Sequence, residues 1–272
     1  MKFFVGDAIY HYEITGEGKP IVLLHGFTGS HDTWLPFISE WKDDFKLITI
    51  DLPGHGKTIT DTPRTMEACC HDLRQLFDDL ELTSFHLVGY SMGGRVALSF
   101  AMLFPRYISS LILESSSPGL RSRDEQRQRI KNDEKLAQKL ETDGLEAFVD
   151  FWESIPLFAS QRMLEEHQQQ SIRAERLSQT ERGLSDSLRY MGTGRQPSWW
   201  GKLAELRIPV LLIVGELDEK FININQEMER LFPTVELTIV ENVGHAIHVE
   251  EPEKFGKLII AFILKQSAQG GY

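Results

Sequence analysis

The sequence predicts an α/β fold, a mostly parallel sheet covered by helices on both faces, with a helical cap inserted into it. Three observations carry this. Short, almost wholly apolar runs recur along both ends of the chain, and such continuous apolarity means burial on both faces, the mark of parallel strands. A helical period fills the interval between two of these runs. The rhythm then breaks across a long middle stretch that offers no strand candidate.

In chain order, the strand runs are Ile21-Val22-Leu23-Leu24, Leu47-Ile48-Thr49-Ile50, Phe85-His86-Leu87-Val88, Leu111-Ile112-Leu113, Val210 to Val214 and Leu237-Thr238-Ile239-Val240. Between the second and third, Met66, Cys69, Leu73, Leu76, Phe77 and Leu80 recur at helical spacing, giving the crossover that parallel strands require. After Pro118-Gly119 the chain turns to charge and glutamine, and the strand rhythm resumes near Leu206-Arg207-Ile208-Pro209. Amphipathic helices over Arg121 to Leu140 and Gln161 to Tyr190 fit that stretch. Phe148, Phe151, Trp152, Leu157, Phe158, Trp199 and Trp200 are too many large apolar groups for a disordered linker. The expected division is a core of residues 1–118 and 206–272 and a helical cap of residues 119–205.

With 272 residues, 41% of them hydrophobic, the chain can bury a sizeable core. A formal net charge of -11 argues against a general nucleic-acid binder, because that field repels phosphates. Clustered arginines can still override it locally for small anions. The two cysteines, Cys69 and Cys70, are adjacent and lack C-x-x-C spacing, so they read as helix residues near the core. Met1 to Asp7 lacks a secretory h-region, and no segment runs to about 18 uninterrupted apolar residues. A soluble, cytoplasmic protein without membrane insertion is expected, as a monomer or homodimer.

Chemistry concentrates at strand ends. Gly89-Tyr90-Ser91-Met92-Gly93 follows an apolar run and opens a helical segment, a strand-to-helix turn that lifts a serine hydroxyl clear of the backbone. The same turn puts the Met92 N–H at a helix N-terminus, able to donate to a developing oxyanion. Asp218 follows the Val210 strand and His245 follows the Leu237 strand, and in an open parallel sheet such ends share one rim. Taken singly, Asp218 also reads as a helix-capping carboxylate, His245 as a core histidine, and His248 as a rival base. Jointly, Ser91, Asp218 and His245 read as a triad in which His245 takes the serine proton and Asp218 holds its tautomer. His25-Gly26-Phe27, at the end of the first run, places the Phe27 N–H as a second oxyanion donor. His25 and His55, the latter in Asp51-Leu52-Pro53-Gly54-His55-Gly56, read as structural.

These motifs resemble the α/β-hydrolase superfamily over almost the whole chain. Their order, Ser, Asp, His, is that superfamily's order. The resemblance implies the α/β-hydrolase fold and implies no metal or organic cofactor.

Fold and triad do not name a reaction, so the pocket must discriminate. Arg95, four residues beyond Ser91, shares the serine's helix face and points toward the pocket floor. A buried guanidinium needs a partner: a protein carboxylate, or an anion brought by the substrate. Arg121, Arg123, Arg127, Arg129, Arg173, Arg176, Arg182, Arg189 and Arg195 add further candidates in the cap. Two or three turned inward would grip a small-molecule polycarboxylate.

Gly89 to Arg95, Glu114 to Leu120, Gly192 to Ser198 and Gly244 to Pro252 together resemble the family of menaquinone-pathway 2-succinyl-6-hydroxy-2,4-cyclohexadiene-1-carboxylate synthases. That resemblance implies a carbon–oxygen lyase that eliminates pyruvate from 2-succinyl-5-enolpyruvyl-6-hydroxy-3-cyclohexene-1-carboxylate. It further implies that Ser91 acts as a base rather than an acylated nucleophile, and that Arg95, Arg129 and Arg176 hold substrate carboxylates. Arg127 and Arg173 lie about one helical turn from the last two choices. Tyr90 and Trp152 match the family's pocket aromatics. The alternatives are a C–C bond or ester hydrolase of an acidic substrate using the same triad, and a non-catalytic ligand-binding member, disfavoured by the intact triad.

Overall fold

Apolar alternation within each strand run decides the layers of this molecule. In the computed structural model, which describes residues 1–269, Val22, Leu24, Leu87 and Leu111 face one core, while Ile21, Leu23, Val88 and Ile112 face the other. The sheet comprises β1 (Lys2–Val5), β2 (Ala8–Thr15), β3 (Lys19–Leu24), β4 (Phe45–Ile50), β5 (Ile59–Thr60), β6 (Phe85–Tyr90), β7 (Ile108–Glu114), β8 (Val210–Gly215) and β9 (Val235–Val240). Its order is β1-β2-β4-β3-β6-β7-β8-β9, with β5 paired to β2. The six expected runs form the parallel part.

Three strands escaped the sequence pattern. β1, β2 and β5 pair antiparallel at one side of the sheet. Strands with one wetter face need no continuous apolar run, and β2 carries a buried His11 and a half-exposed Glu13.

The helices α1 (Leu35–Trp41), α2 (Met66–Asp79) and α3 (Met92–Leu103) follow β3, β5 and β6. α2 and α3 cover one face with Phe77, Val96 and Phe100, and α1 covers the other with Phe37 and Trp41. Thr65 caps α2, its hydroxyl accepting from the Ala68 N–H. Cys69 and Cys70 lie buried in α2 as free thiols, and burial pushes Cys69 up to about 12.

Between β7 and β8 come α4 (Arg123–Ser154), a 3-10 segment Pro156–Met163, α5 (Glu166–Leu177) and α6 (Glu181–Met191). The helix expected to end at Leu140 runs on to Ser154, broken only at Gly144, whose φ of 84° interrupts the helical path. The single segment expected over Gln161 to Tyr190 is instead three pieces. Thr180 starts α6 afresh, its hydroxyl accepting from the Gly183 N–H at 3.1 Å. The two ends of this insertion are pinned together: Trp199 N–H donates to the Pro118 carbonyl at 2.8 Å and the Trp200 indole to the Gly119 carbonyl at 2.9 Å.

α7 (Glu219–Glu229), α8 (Ile247–Glu250) and α9 (Pro252–Gln269) complete the chain, with Phe255 and Ile259 of α9 packing beside α1. Among the described residues, no helix is long and apolar enough to cross a membrane. Register aligns the carboxyl ends: Leu24 lies opposite Gly89, Tyr90 opposite Glu114, Glu114 opposite Ile213 and Gly215 opposite Val240. The loops that follow β3, β6, β8 and β9 therefore share one rim.

Candidate active site

Ser91 is the hinge between β6 and α3. Its φ of 49° and ψ of -103° put a non-glycine residue in a strained region, a cost of about 1–3 kcal/mol that the surroundings must enforce. They do so through both backbone groups: Ser91 N–H donates to the Glu114 carbonyl at 2.8 Å, and its carbonyl accepts from Arg95 N–H at 3.0 Å. A Cβ at Gly93 would collide with the Leu24 and His25 carbonyls, and one at Gly89 with the Gly93 backbone. Close approach explains both glycines of the motif.

Asp218 does two jobs at once. Its Oδ1 accepts from the Phe221 N–H at 3.3 Å, capping α7, while Oδ2 accepts from His245 Nδ1 at 2.5 Å. The carboxylate makes both the contact a helix cap needs and the contact the triad reading needs. With Nδ1 protonated toward Asp218, His245 Nε2 is left to accept from Ser91 Oγ, 3.0 Å away. The loops that carry the two residues interlock, Leu217 N–H donating to the Val243 carbonyl at 2.9 Å. His248 is excluded as a base, because its Nδ1 faces the buried Glu114 carboxylate at 2.9 Å and its ring packs 4.5 Å from Tyr90.

The N–H groups of Phe27 and Met92 have no hydrogen-bond partner among the described residues. Beneath them the loop after β3 is locked by His25. Its Nε2 accepts from Leu52 N–H at 3.0 Å, so Nδ1 carries the proton and donates to the Gly26 carbonyl at 2.7 Å. Burial lowers the His25 pKa, consistent with that neutral form. His55 packs edge-on against Phe27, and burial pushes it down to about 3. Both histidines are structural.

One cavity holds Ser91, His245, Phe27, Met92, Tyr90, Trp152, Arg95 and Arg129. Arg95 donates to the Met191 carbonyl at 2.7 Å and reaches the Gln196 amide oxygen at 3.4 Å, both neutral acceptors. Burial, then repulsion by Arg129, lowers its pKa to about 10. Arg129 gives its Nε to Asp133 Oδ1 at 2.7 Å. The other Asp133 oxygen is buried without a hydrogen-bond partner among the described residues, and burial raises the acid's pKa despite Arg129. Trp152 stacks on Phe148 at 5.8 Å, and its indole N–H is a buried donor without a partner among the described residues.

Arg176 departs from expectation. It is buried, stacked 4.8 Å over Phe158 and bound to Glu153 at 3.2 Å and Gln161 at 3.0 Å. It lines a neighbouring pocket, not the Ser91 cavity, and Phe27, Tyr90 and Phe158 line both. The separate helix α5 sets its direction, which a continuous helical period could not reveal. The alternatives also turn away: Arg127 pairs with Asp124, and Arg173 pairs with Asp150 and Glu153. Sequence reasoning missed Lys220, which lines the Ser91 cavity from the first turn of α7. Its ammonium pKa is lowered by burial and by Arg129. Its place two residues beyond Asp218 was the available signal.

The α/β hydrolase fold family model matches residues 19–252. A Bacillus subtilis (strain 168) protein with the provisional name 2-succinyl-6-hydroxy-2,4-cyclohexadiene-1-carboxylate synthase is 47% identical over 266 residues, covering 95% of this chain and 96% of that relative. The solved structure of MenH from S. aureus superposes with a TM-score of 0.92 at 38% identity, covering 94% of this chain and 99% of that one. A malate-bound thermophilic esterase from Thermogutta terrifontis superposes with a TM-score of 0.84 at 28% identity, covering 95% and 94%. The chain therefore belongs to the α/β-hydrolase fold family and, within it, to the family of 2-succinyl-6-hydroxy-2,4-cyclohexadiene-1-carboxylate synthases.

Proposed function

We propose that this protein is a carbon–oxygen lyase of menaquinone biosynthesis. It eliminates pyruvate from 2-succinyl-5-enolpyruvyl-6-hydroxy-3-cyclohexene-1-carboxylate and leaves 2-succinyl-6-hydroxy-2,4-cyclohexadiene-1-carboxylate. The observation that carries the reading is Arg95, a guanidinium whose hydrogen-bond acceptors among the described residues are all neutral, in the same cavity as a hydrogen-bonded Ser91–His245–Asp218 chain. A pocket with Arg95, Arg129 and Lys220 around the serine suits a substrate with several carboxylates better than an apolar ester.

In this mechanism His245 Nε2 takes the Ser91 hydroxyl proton while Asp218 stabilises the imidazolium. The serine oxygen removes the proton α to the succinyl carbonyl. The Phe27 and Met92 N–H groups receive the enolate oxygen, each donor contributing about 3 kcal/mol in comparable sites. Collapse of the enolate forms the diene and breaks the C–O bond to the enolpyruvyl group. The leaving group regains a proton and departs as pyruvate. Tyr90 and Trp152 wall the ring, and Arg95 and Arg129 hold carboxylates. We place Arg176 behind Phe158, where it can reach substrate only if that ring moves. The cellular setting that fits is cytoplasmic, with the chain acting as a monomer or homodimer.

Coupling pyruvate release to lactate dehydrogenase tests this directly. Turnover of the enolpyruvyl substrate well above its spontaneous rate is expected; release no faster than the blank would refute the reading. The same triad also suits hydrolysis of an acidic ester or C–C bond, and the malate-bound esterase at 28% identity favours keeping that second reading. An acyl group trapped on Ser91 by mass spectrometry would select it.

A further inference from the structure

A second cluster of chemistry-bearing side chains lies outside the Ser91 cavity, around the carboxylate at the end of β4. Asp51 is fully buried and accepts from four groups. Two are backbone donors, His31 N–H at 2.6 Å and Lys57 N–H at 2.8 Å. The other two are imidazoles: His31 Nδ1 lies 2.9 Å from Oδ1 and His11 Nδ1 lies 3.0 Å from Oδ2. One carboxylate thus orients two histidines through the same ring nitrogen of each.

Both Nε2 atoms are consequently turned away from Asp51, and the rings meet edge-on with centroids 4.6 Å apart. Glu13, two residues along β2 and so on the same strand face as His11, brings Oε1 to 3.1 Å from His11 Nε2. The two imidazoles and this carboxylate each offer a ligand atom, and those atoms lie within 4.8 Å of one another. A metal-ligating histidine characteristically donates its other ring N–H to a carboxylate, which fixes the tautomer and raises ligand basicity. Asp51 accepts such a bond twice.

We propose that His11, Glu13 and His31 bind a divalent transition-metal ion, with Zn²⁺ the best fit, and that Asp51 orients both imidazoles. Two imidazole nitrogens and one carboxylate suit Zn²⁺, whereas Ca²⁺ and Mg²⁺ demand oxygen ligands. Asp51 and Glu13 together balance the ion's charge. Asp32, with Oδ1 3.3 Å from His31 Nε2, is within reach as a fourth donor on an exposed side chain. The Met1 ammonium, 3.3 Å from Glu13 Oε1, competes for that oxygen, so the ion must displace it. Glu13 is half-exposed, which leaves a path from solvent to the two buried histidines. None of these residues lines the Ser91 cavity, so the role is structural. The ion would tie β2 to the loop after β3, four residues beyond Phe27.

Calorimetric titration of chelator-treated protein with ZnCl₂ alone tests the assignment. One Zn²⁺ per chain at micromolar affinity or tighter is expected, undiminished by excess Mg²⁺, with a matching rise in Tm. Co²⁺ should give visible d–d absorption at the same stoichiometry. Glu13→Gln, on a half-exposed side chain, and His11→Gln should each weaken Zn²⁺ by about tenfold or more, since even outer-shell changes cost that much. His245→Gln should leave the affinity unchanged, which separates this site from the triad. Absence of a 1:1 complex at micromolar Zn²⁺, or wild-type affinity in either the Glu13 or the His11 variant, overturns the proposal.

Discussion

Arg95 Nη1 donates to the main-chain oxygen of Met191 at 2.7 Å, joining the helix that follows Ser91 to the last residue of α6. The contact orients the guanidinium without neutralising it, so its charge remains available to a ligand. Arg95→Ala should raise KM and lower kcat/KM by about 10²-fold, in line with 2–5 kcal/mol for truncating a desolvated charge partner. Arg95→Lys should restore little, because a point charge lacks the fork. Steady-state kinetics on the enolpyruvyl substrate would show it, and an unchanged KM would remove the polycarboxylate argument.

Ser91 combines function with strain. Ser91→Ala should reduce kcat by at least ~10³-fold, as loss of a triad member does elsewhere. Ser91→Gly should be equally inactive yet more stable by about 1 kcal/mol, because glycine tolerates positive φ. Urea denaturation of the three proteins would separate the effects.

The Trp152 indole N–H is buried and finds no partner among the described residues. Removing an unsatisfied donor forfeits no hydrogen bond in the folded protein, although a smaller ring gives up part of the stack on Phe148, whereas a substrate oxygen that uses the donor loses about 1–1.5 kcal/mol. Trp152→Phe should therefore lower Tm only by the packing lost and increase KM by roughly tenfold. A KM equal to wild type would show that no substrate atom meets the indole.

Lys220 loses its proton below the ordinary lysine range, because burial and Arg129 disfavour its charge. As pH rises into the alkaline range, KM should climb earlier than a normal lysine would cause. Lys220→Arg should flatten that limb, and Lys220→Ala should show a high KM at every pH. Parallel profiles in all three would exclude Lys220 from binding.

His86 and His55, both buried and held neutral, contribute to a loss of stability in acid. Burial, reinforced for His86 by Lys19 and for His55 by His25, lowers their pKa values from 6.5 to about 4 and about 3. Below pH 6.5 the unfolded chain binds protons that the folded chain refuses, so their contribution is complete above that pH and falls as pH drops toward 4. For His86 alone the loss between pH 7 and pH 5 is about 2 kcal/mol. Urea midpoints should fall accordingly, and by less in His86→Asn.

Legibility followed the range of the forces involved. Gly89 to Gly93 was readable because backbone crowding at one turn dictates small residues at set spacing. The six parallel strands were readable because burial on both faces demands unbroken apolarity. β1, β2 and β5 were not, since strands with a wetter face tolerate His11 and Glu13. The arginines between β7 and β8 look alike in sequence, and only neighbouring elements separate Arg129, which lines the Ser91 cavity, from Arg127 and Arg173 with their carboxylates and from Arg176 behind Phe158.

By itself the sequence determined the fold class, the strand-end positions of Ser91, Asp218 and His245 and the positive charge beside the serine, because each depends on neighbours within a few residues or on strand-end position. Only the tertiary structure decided that Asp218 caps α7 while holding His245, that Arg95 meets Met191 instead of a carboxylate, and that Asp51 gathers His11 and His31. Those pairings join residues far apart in the chain. Their geometry depends on the packing of whole strands and helices, which no local pattern encodes.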